Sequence, residues 1–360
     1  MDGAVKPEGS AYYPMLPSLM RKAYTADKRL GFQADSLPGL EAWRGELRSK
    51  LAELTGLDRM KACALDPQHM EGPVQLDGYR REKLRIQTEQ DVWMPFYVLV
   101  PDGLKSGEKR PVVIAAHGHA GGGKESVAGV VSHPAIHAAV DKYSYDYGVQ
   151  LVRQGYVVLC PDARGFGERR EYWKQGDSDK QVMSSSCNHL NHAAISMGYA
   201  LIGFLIWDLQ RLIDFLPSLS YADADRIGCS GFSGGGMQAL WLAALDDRVR
   251  ATVVSGYLSG YKDVLLLETH CGCNYVPRLW EYADYGDIAA LIAPRPLLVE
   301  SGDDDPNSGP RRVDNVREQL DITGKAYALF GCEDRLALAV HEGGHRWYGE
   351  RVASFLKEAL

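Results

Sequence analysis

The 360-residue chain predicts an α/β fold, a mostly parallel central sheet with helices on both faces, with a helical N-terminal extension in front of it. One observation is the regular alternation of strand-like and helix-like segments from about residue 110 onward, which is the pattern of a parallel sheet covered on both sides. A second is that Pro111-Val-Val-Ile-Ala-Ala116 and Tyr156-Val-Val-Leu-Cys160 are short and apolar throughout, as strands buried on both faces are. The third is Arg226-Ile-Gly-Cys-Ser-Gly-Phe-Ser-Gly-Gly-Gly-Met237, which reads as a strand turning sharply into a helix.

Residues 1–75 read as the helical extension, with Leu40, Trp43, Leu47, Leu51 and Leu54 on one face at helical spacing. That face is expected either to lie over the main domain or to form a subunit contact in a homo-oligomer. Residues 76–360 then form the principal domain. It opens on two antiparallel strands, Lys83–Thr88 and Val92–Val100, where the apolar period falls to two. After strands 111–116 and 156–160, joined by a crossover helix at 146–154, a long amphipathic helix covers 197–216. The strand at 227–230, the apolar helix 237–245 and the strand 251–255 follow. Strand 296–300, a helix near 311–323, a strand at 326–330 and a last helix over 346–360 complete the series. Loops at about 120–142 and 164–195, and an aromatic stretch at 257–293, interrupt the rhythm. Such insertions sit at the carboxyl ends of strands, where an open α/β sheet places its ligand crevice.

Lys and Arg total 40 against 47 Asp and Glu, a net charge of −7, which argues against a nucleic-acid or anionic-membrane surface. The seven cysteines show neither C-x-x-C nor zinc spacing, and Cys271-Gly-Cys273 is too tight for a usual disulfide framework. Buried free thiols in a reducing compartment are the expectation. No basic segment followed by an apolar one opens the chain, and no apolar run approaches the length of a membrane span, so a soluble, cytoplasmic protein is expected.

Gly231-Phe-Ser-Gly-Gly235 fits G-x-S-x-G, in which a strained strand-to-helix turn lifts the serine hydroxyl above the sheet. Gly234, Gly235 and Gly236 weaken the first helical turn by about 1 kcal/mol each relative to alanine, a penalty that a purely structural helix has no reason to carry. Ser233 is therefore the candidate nucleophile. Ser230 lacks the second glycine and lies inside the strand. A serine hydroxyl needs a base and a third group to orient it. Asp303, Asp304 and Asp305 follow the strand at 296–300, and chemistry alone does not separate them. His345 follows Gly343-Gly344 and is preferred as base over His341, because the glycines allow a close approach. Oxyanion donors are expected from the amide of Gly234 and from an amide at the Gly118–His119 turn, within Ala116-His-Gly-His-Ala-Gly-Gly-Gly123.

Two motif matches fail on their chemistry. Gly118–Lys124 resembles a phosphate-binding loop, but Glu125 stands where a serine or threonine should hold magnesium. His341-Glu-Gly-Gly-His345 matches H-E-x-x-H, yet its central glycines undermine the helix that would put both imidazoles on one zinc. No metal and no cofactor are expected.

With His117-Gly-His119, Pro161-Asp-Ala-Arg-Gly-Phe-Gly-Glu168, Gly231–Gly235 and Ala293-Pro-Arg-Pro-Leu297 in these positions, residues 76–360 resemble the α/β-hydrolase superfamily. More narrowly they resemble its dienelactone-hydrolase-like and acetyl-xylan-esterase-like bacterial esterases. The resemblance implies an α/β-hydrolase fold and a serine ester hydrolase that removes a small acyl group, acetyl by preference, from a sugar or other alcohol. Dienelactone hydrolases proper use cysteine where this chain has Ser233, which removes dienelactone as the default substrate. In the family pattern the acid stands three residues after the glycine that ends its strand, which from Gly302 is Asp305, and Pro306 restricts that residue to extended backbone. A small-molecule ester, among them an acylated carbohydrate, is the implied partner. Aromatic residues at 143–147, 172–173 and 275–285 are the side chains that would pave a sugar site. The same triad serves peptidases and C–C bond hydrolases, and a non-catalytic ligand-binding member is the remaining alternative.

Overall fold

The computed structural model describes residues 14–360. The start of the chain, read above for a leader, and the first part of the helical extension lie outside the described residues. Among those described, nine strands form one sheet in the order β1-β2-β3-β5-β4-β6-β7-β8-β9. Their ranges are β1 Gln68–Leu76, β2 Tyr79–Glu89, β3 Val92–Pro101, β4 Arg110–Ala116, β5 Val157–Pro161, β6 Ala222–Phe232, β7 Val249–Ser255, β8 Leu297–Gly302 and β9 Leu336–His341. β1, β2 and β3 form an antiparallel meander and β3 pairs antiparallel with β5, while every pair from β5 through β9 is parallel.

The apolar strands have the two-sided burial that their composition predicts. In β4, Val112 and Ile114 enter one core with the helices Leu201–Phe215 and Gly234–Leu245. Val113 and Ala115 enter a second core with the helices Tyr147–Arg153 and Val352–Ala359. The helix Leu37–Thr55 buries Leu40, Trp43, Leu47 and Leu51 in the first of these cores, so this face packs on the main body of the chain. Trp43 Nε1 donates to the Leu30 carbonyl at 2.8 Å, and the Phe32 amide to Asp287 Oδ1 at 2.8 Å.

Four sequence expectations are corrected. The stretch 1–75 is not helical to its end, because β1 begins at Gln68; this edge strand is almost wholly exposed and contains Gly72 and Pro73, so no apolar alternation marks it. The expected strand 326–330 is the last part of a helix, Val313–Phe330, closed by Gly331 at φ +65°. A five-residue apolar run does not separate strand from helix, and here the continuing helical frame wins. The last strand is β9 instead. The helices expected at 197–216 and 346–360 are shorter, Leu201–Phe215 and Val352–Ala359. No single described helix is long and apolar enough to cross a membrane.

Parallel pairing sends the carboxyl ends of β4, β6, β7, β8 and β9 to one edge of the sheet. Ala116 lies beside Gly231, Phe232 beside Ser255, and Gly302 beside His341. The residues singled out by their motifs follow these ends directly.

Candidate active site

Ser233 stands between β6 and the helix Gly234–Leu245 with φ +57° and ψ −121°, a conformation that L-residues rarely adopt. Its amide donates to the Ser255 carbonyl at 2.8 Å, which ties the turn to β7. The glycines explain why strand and helix can approach so closely. A Cβ on Gly231 would lie 2.2 Å from the Gly235 carbonyl oxygen, and one on Gly235 would lie 1.9 Å from that of Ala116. Ser230, by contrast, is fully buried inside β6, paired with Ala115 and Val253.

The acid and base meet by geometry. His345 Nδ1 lies 2.8 Å from Asp305 Oδ2, and Asp305 is only 1% exposed. Asp305 has the extended backbone that Pro306 requires, φ −71° and ψ 110°, and its other oxygen accepts from the Asn307 amide at 2.8 Å. Asp304 instead pairs with Arg312 at 2.9 Å at an exposed position, and Asp303 accepts from the Gly343 amide at 2.8 Å. The three adjacent aspartates are thus separated by their partners.

The His345 ring packs on Phe232 with centroids 4.5 Å apart, and a Cβ on Gly256 would touch its Cε1 at 3.2 Å. Gly256 and Ser233 line the same cavity. Among the described residues no hydrogen bond joins Ser233 Oγ to His345. Contacts of this kind are commonly long before substrate binds. His341 faces elsewhere, stacked on Tyr348 with centroids 4.2 Å apart and 3.7 Å from both Glu300 and Glu350. The two histidines of the H-E-x-x-H match lie on a strand and a loop and have separate carboxylate partners.

The loop after β4 is held in place by its neighbours. His117 is buried, and its Nε2 accepts from the Ala163 amide at 3.0 Å while Nδ1 lies 2.8 Å from the Gly118 carbonyl. Burial lowers its pKa, in keeping with a neutral ring of fixed tautomer. Tyr145 donates to the His119 carbonyl at 2.8 Å, and Gln238 to that of His117 at 2.9 Å. Gly118 is thereby pressed against the nucleophile turn: a Cβ there would meet the Gly234 nitrogen at 3.1 Å. Among the described residues the Gly234 and His119 amides, the expected oxyanion donors, donate to no backbone carbonyl.

Ser233, Gly234 and His119 line a cavity of about 140 Å³ with Tyr257, Val264 and Leu265. Larger hollows lie away from it, including one of about 520 Å³ walled by Arg85, Trp93 and Arg164. None of the candidate catalytic side chains reaches that hollow, so chemistry rather than volume marks the site. Of the aromatics expected to pave a sugar site, Tyr145 and Tyr147 are wholly buried loop supports, Tyr285 lines the cavity, and Tyr172 and Trp173 are exposed. Lys124, from the phosphate-loop resemblance, is fully buried against Asp162 at 2.7 Å and also bonded to Glu168. Burial works against its charge, but the two carboxylates outweigh that and raise its pKa.

One grouping passes unseen in the sequence. Cys187, Cys271 and Cys273 converge on the Nε2 side of the His119 ring, and of the three Cys271 lines the same cavity while Cys187 and Cys273 are buried behind it. The neighbouring Cys271 and Cys273 thiols, and then His119, draw the Cys187 thiol below its ordinary value, while Cys271 and Cys273 are pushed up by Cys187 and by burial. Only the C-x-C spacing of 271–273 could have signalled this, since Cys187 arrives from a distant helix.

An Abhydrolase family model matches residues 29–326. YtaP of Bacillus subtilis (strain 168), assigned as a hydrolase, is 30% identical over 259 residues, which is 70% of this chain and 77% of that protein. Among solved structures, a protein from Bacteroides fragilis NCTC 9343 assigned as an acetyl xylan esterase superposes with a TM-score of 0.75 at 20% identity, covering 94% of this chain and 84% of that one. A glucuronoyl esterase from Teredinibacter turnerae gives a TM-score of 0.64 at 20% identity, covering 93% and 90%.

Proposed function

Because the chain belongs to the Abhydrolase family and has its α/β-hydrolase fold, we propose that it hydrolyses carboxylic esters of small acyl groups through an acyl-enzyme on Ser233. The observation that carries this reading is the 2.8 Å hydrogen bond of His345 to the buried Asp305, set beside a serine held at positive φ. Asp305 keeps the proton of His345 on Nδ1, so that Nε2 is free to accept the proton of Ser233 Oγ as it attacks the ester carbonyl. The Gly234 and His119 amides stabilise the oxyanion, His345 returns the proton to the leaving alcohol, and water activated by the same imidazole releases the acid.

The apolar wall of Val264 and Leu265 and a volume of about 140 Å³ favour a short acyl chain such as acetyl. Tyr257 and Tyr285 next to it, joined by a 2.6 Å hydrogen bond, suit a polyhydroxylated alcohol such as a sugar. The names of the similar esterases support the same substrate class. The test is hydrolysis by the purified protein of p-nitrophenyl esters of increasing acyl length, acetylated sugars and peptide p-nitroanilides. Turnover highest with acetyl esters is expected. Cleavage of anilides without ester turnover would replace this reading with the peptidase one.

A further inference from the structure

We propose that His119, Cys187, Cys271 and Cys273 form a binding site for a thiophilic divalent cation, zinc, on the wall of the Ser233 cavity. His119 Nε2 lies 3.3 Å from Cys273 Sγ and 3.8 Å from Cys187 Sγ. The ligand atoms of His119, Cys187 and Cys271 all lie within 4.8 Å of one another. In a tetrahedral zinc site, bonds of about 2.3 Å to sulfur and about 2.05 Å to nitrogen give edges of about 3.8 Å between sulfurs and about 3.6 Å from sulfur to nitrogen. The separations of Cys187 and Cys273 from His119 bracket that nitrogen edge, Cys187 and Cys271 reach their edges by movements of about 1 Å, and Cys273, which touches His119 but stands outside the mutual 4.8 Å set, has to close on the other two sulfurs when the ion binds. Three sulfurs and one imidazole make a soft donor set with no carboxylate among it, which selects zinc over magnesium or calcium.

The surroundings suit thiolates. Ser185 Oγ donates to Cys187 Sγ at 3.2 Å, and Asn274 Nδ2 approaches Cys273 Sγ at 3.7 Å. Such outer donors orient metal ligands. Cys187 and Cys273 are each 1% exposed, whereas Cys271 lines the cavity, which supplies an entry path for the ion. Binding releases the thiol protons to solvent. It also sets the tautomer of His119: with Nε2 on the ion the ring proton sits on Nδ1, the nitrogen that packs against Gly234, 2.6 Å from where a Cβ there would lie.

The test uses the full chain, purified under reducing conditions and assayed for zinc by elemental analysis. It is then stripped with a chelator and titrated with Co²⁺. About one zinc per chain is expected, with tetrahedral ligand-field bands and sulfur-to-cobalt charge transfer on reconstitution. The double variant Cys187→Ser/Cys273→Ser should lose both signals, while Cys63→Ser, at a thiol remote from the cluster, keeps them. If the double variant does not fold by circular dichroism, Cys271→Ser takes its place and should weaken Co²⁺ binding about tenfold or more. Absence of zinc and of a cobalt–thiolate spectrum in folded, reduced protein overturns the proposal. So does retention of both signals in the folded double variant, or an unchanged Co²⁺ affinity in Cys271→Ser where that variant stands in, and so does a disulfide among these cysteines in the protein as isolated.

Discussion

Asp305→Asn is the substitution that most directly tests the acid–base pair. Both carboxylate oxygens of Asp305 accept from N–H groups, Oδ2 from His345 at 2.8 Å and one oxygen, Oδ1, from the Asn307 amide at 2.8 Å. Asparagine has a single acceptor oxygen, so one of these contacts must change. If that oxygen stays on the Asn307 amide, the new NH₂ faces His345 Nδ1, which must then accept. The imidazole proton moves to Nε2, the atom that has to receive the proton of Ser233. If the side chain flips instead, two donors oppose each other at a buried position, at a cost of about 1–3 kcal/mol. The first arrangement is therefore favoured, and a wrong tautomer of this kind lowers kcat by about 10⁴, or about 5.4 kcal/mol of transition-state stabilisation. KM for p-nitrophenyl acetate should change little. Asp304→Asn removes only an exposed pair with Arg312 and should leave kcat/KM within about fivefold of wild type, while Asp303→Asn keeps an acceptor for Gly343. Near-full turnover in Asp305→Asn, or collapse in Asp304→Asn, refutes the reasoning.

Ser233→Ala should retain the fold and lower kcat by about 10⁶, and an organophosphate should label the Ser233 peptide whether or not the protein has been treated with a chelator; labelling that requires added zinc would move the chemistry to the metal. Gly235→Ala should give little folded protein by circular dichroism, because its Cβ would lie 1.9 Å from the Ala116 carbonyl oxygen; a melting temperature equal to wild type would contradict that clash. Burial raises the Glu300 carboxyl to about 7, so between its unfolded value near 4.3 and pH 7 the folded protein holds the extra proton and loses stability as pH rises. Glu300→Gln should therefore gain on wild type progressively from pH 5 to pH 8, by about 3 kcal/mol at most, and a difference in melting temperature that stays flat across that range would refute the raised carboxyl.

What was legible in the sequence is what short stretches of chain enforce by themselves. The elbow at Ser233 is a local product of glycines that permit close approach, and the buried strands β4 and β5 follow from uninterrupted β-branched and aliphatic runs. The family spacing from Gly302 points to Asp305, and the structure adds what distinguishes it from its neighbours: Pro306 extends its backbone while Asp304 and Asp303 turn to Arg312 and Gly343. β1 was invisible because an exposed edge strand needs no apolar period, and the end of the helix Val313–Phe330 was misread because a five-residue apolar run suits either frame.

The remaining losses concern partners distant in sequence. Lys124 resembles a phosphate ligand only until Asp162 and Glu168, contributed by the loop after β5, occupy its ammonium group. Likewise Arg164, in the Pro161–Glu168 motif, is committed to the buried Asp208 through two hydrogen bonds of 2.7 and 2.9 Å. The thiols follow the same rule with the opposite outcome. Cys187 reads as an isolated residue until the insertion that carries it is folded over the loop after β7, where it meets Cys271, Cys273 and His119. The insertions therefore differ from the sheet in kind. The sheet sets where Ser233, Asp305 and His345 emerge, whereas the loops over its edge decide which other side chains face them. That second choice depends on pairings that no local spacing encodes, so the roles of His119 and its thiols become readable only once the loops are in place.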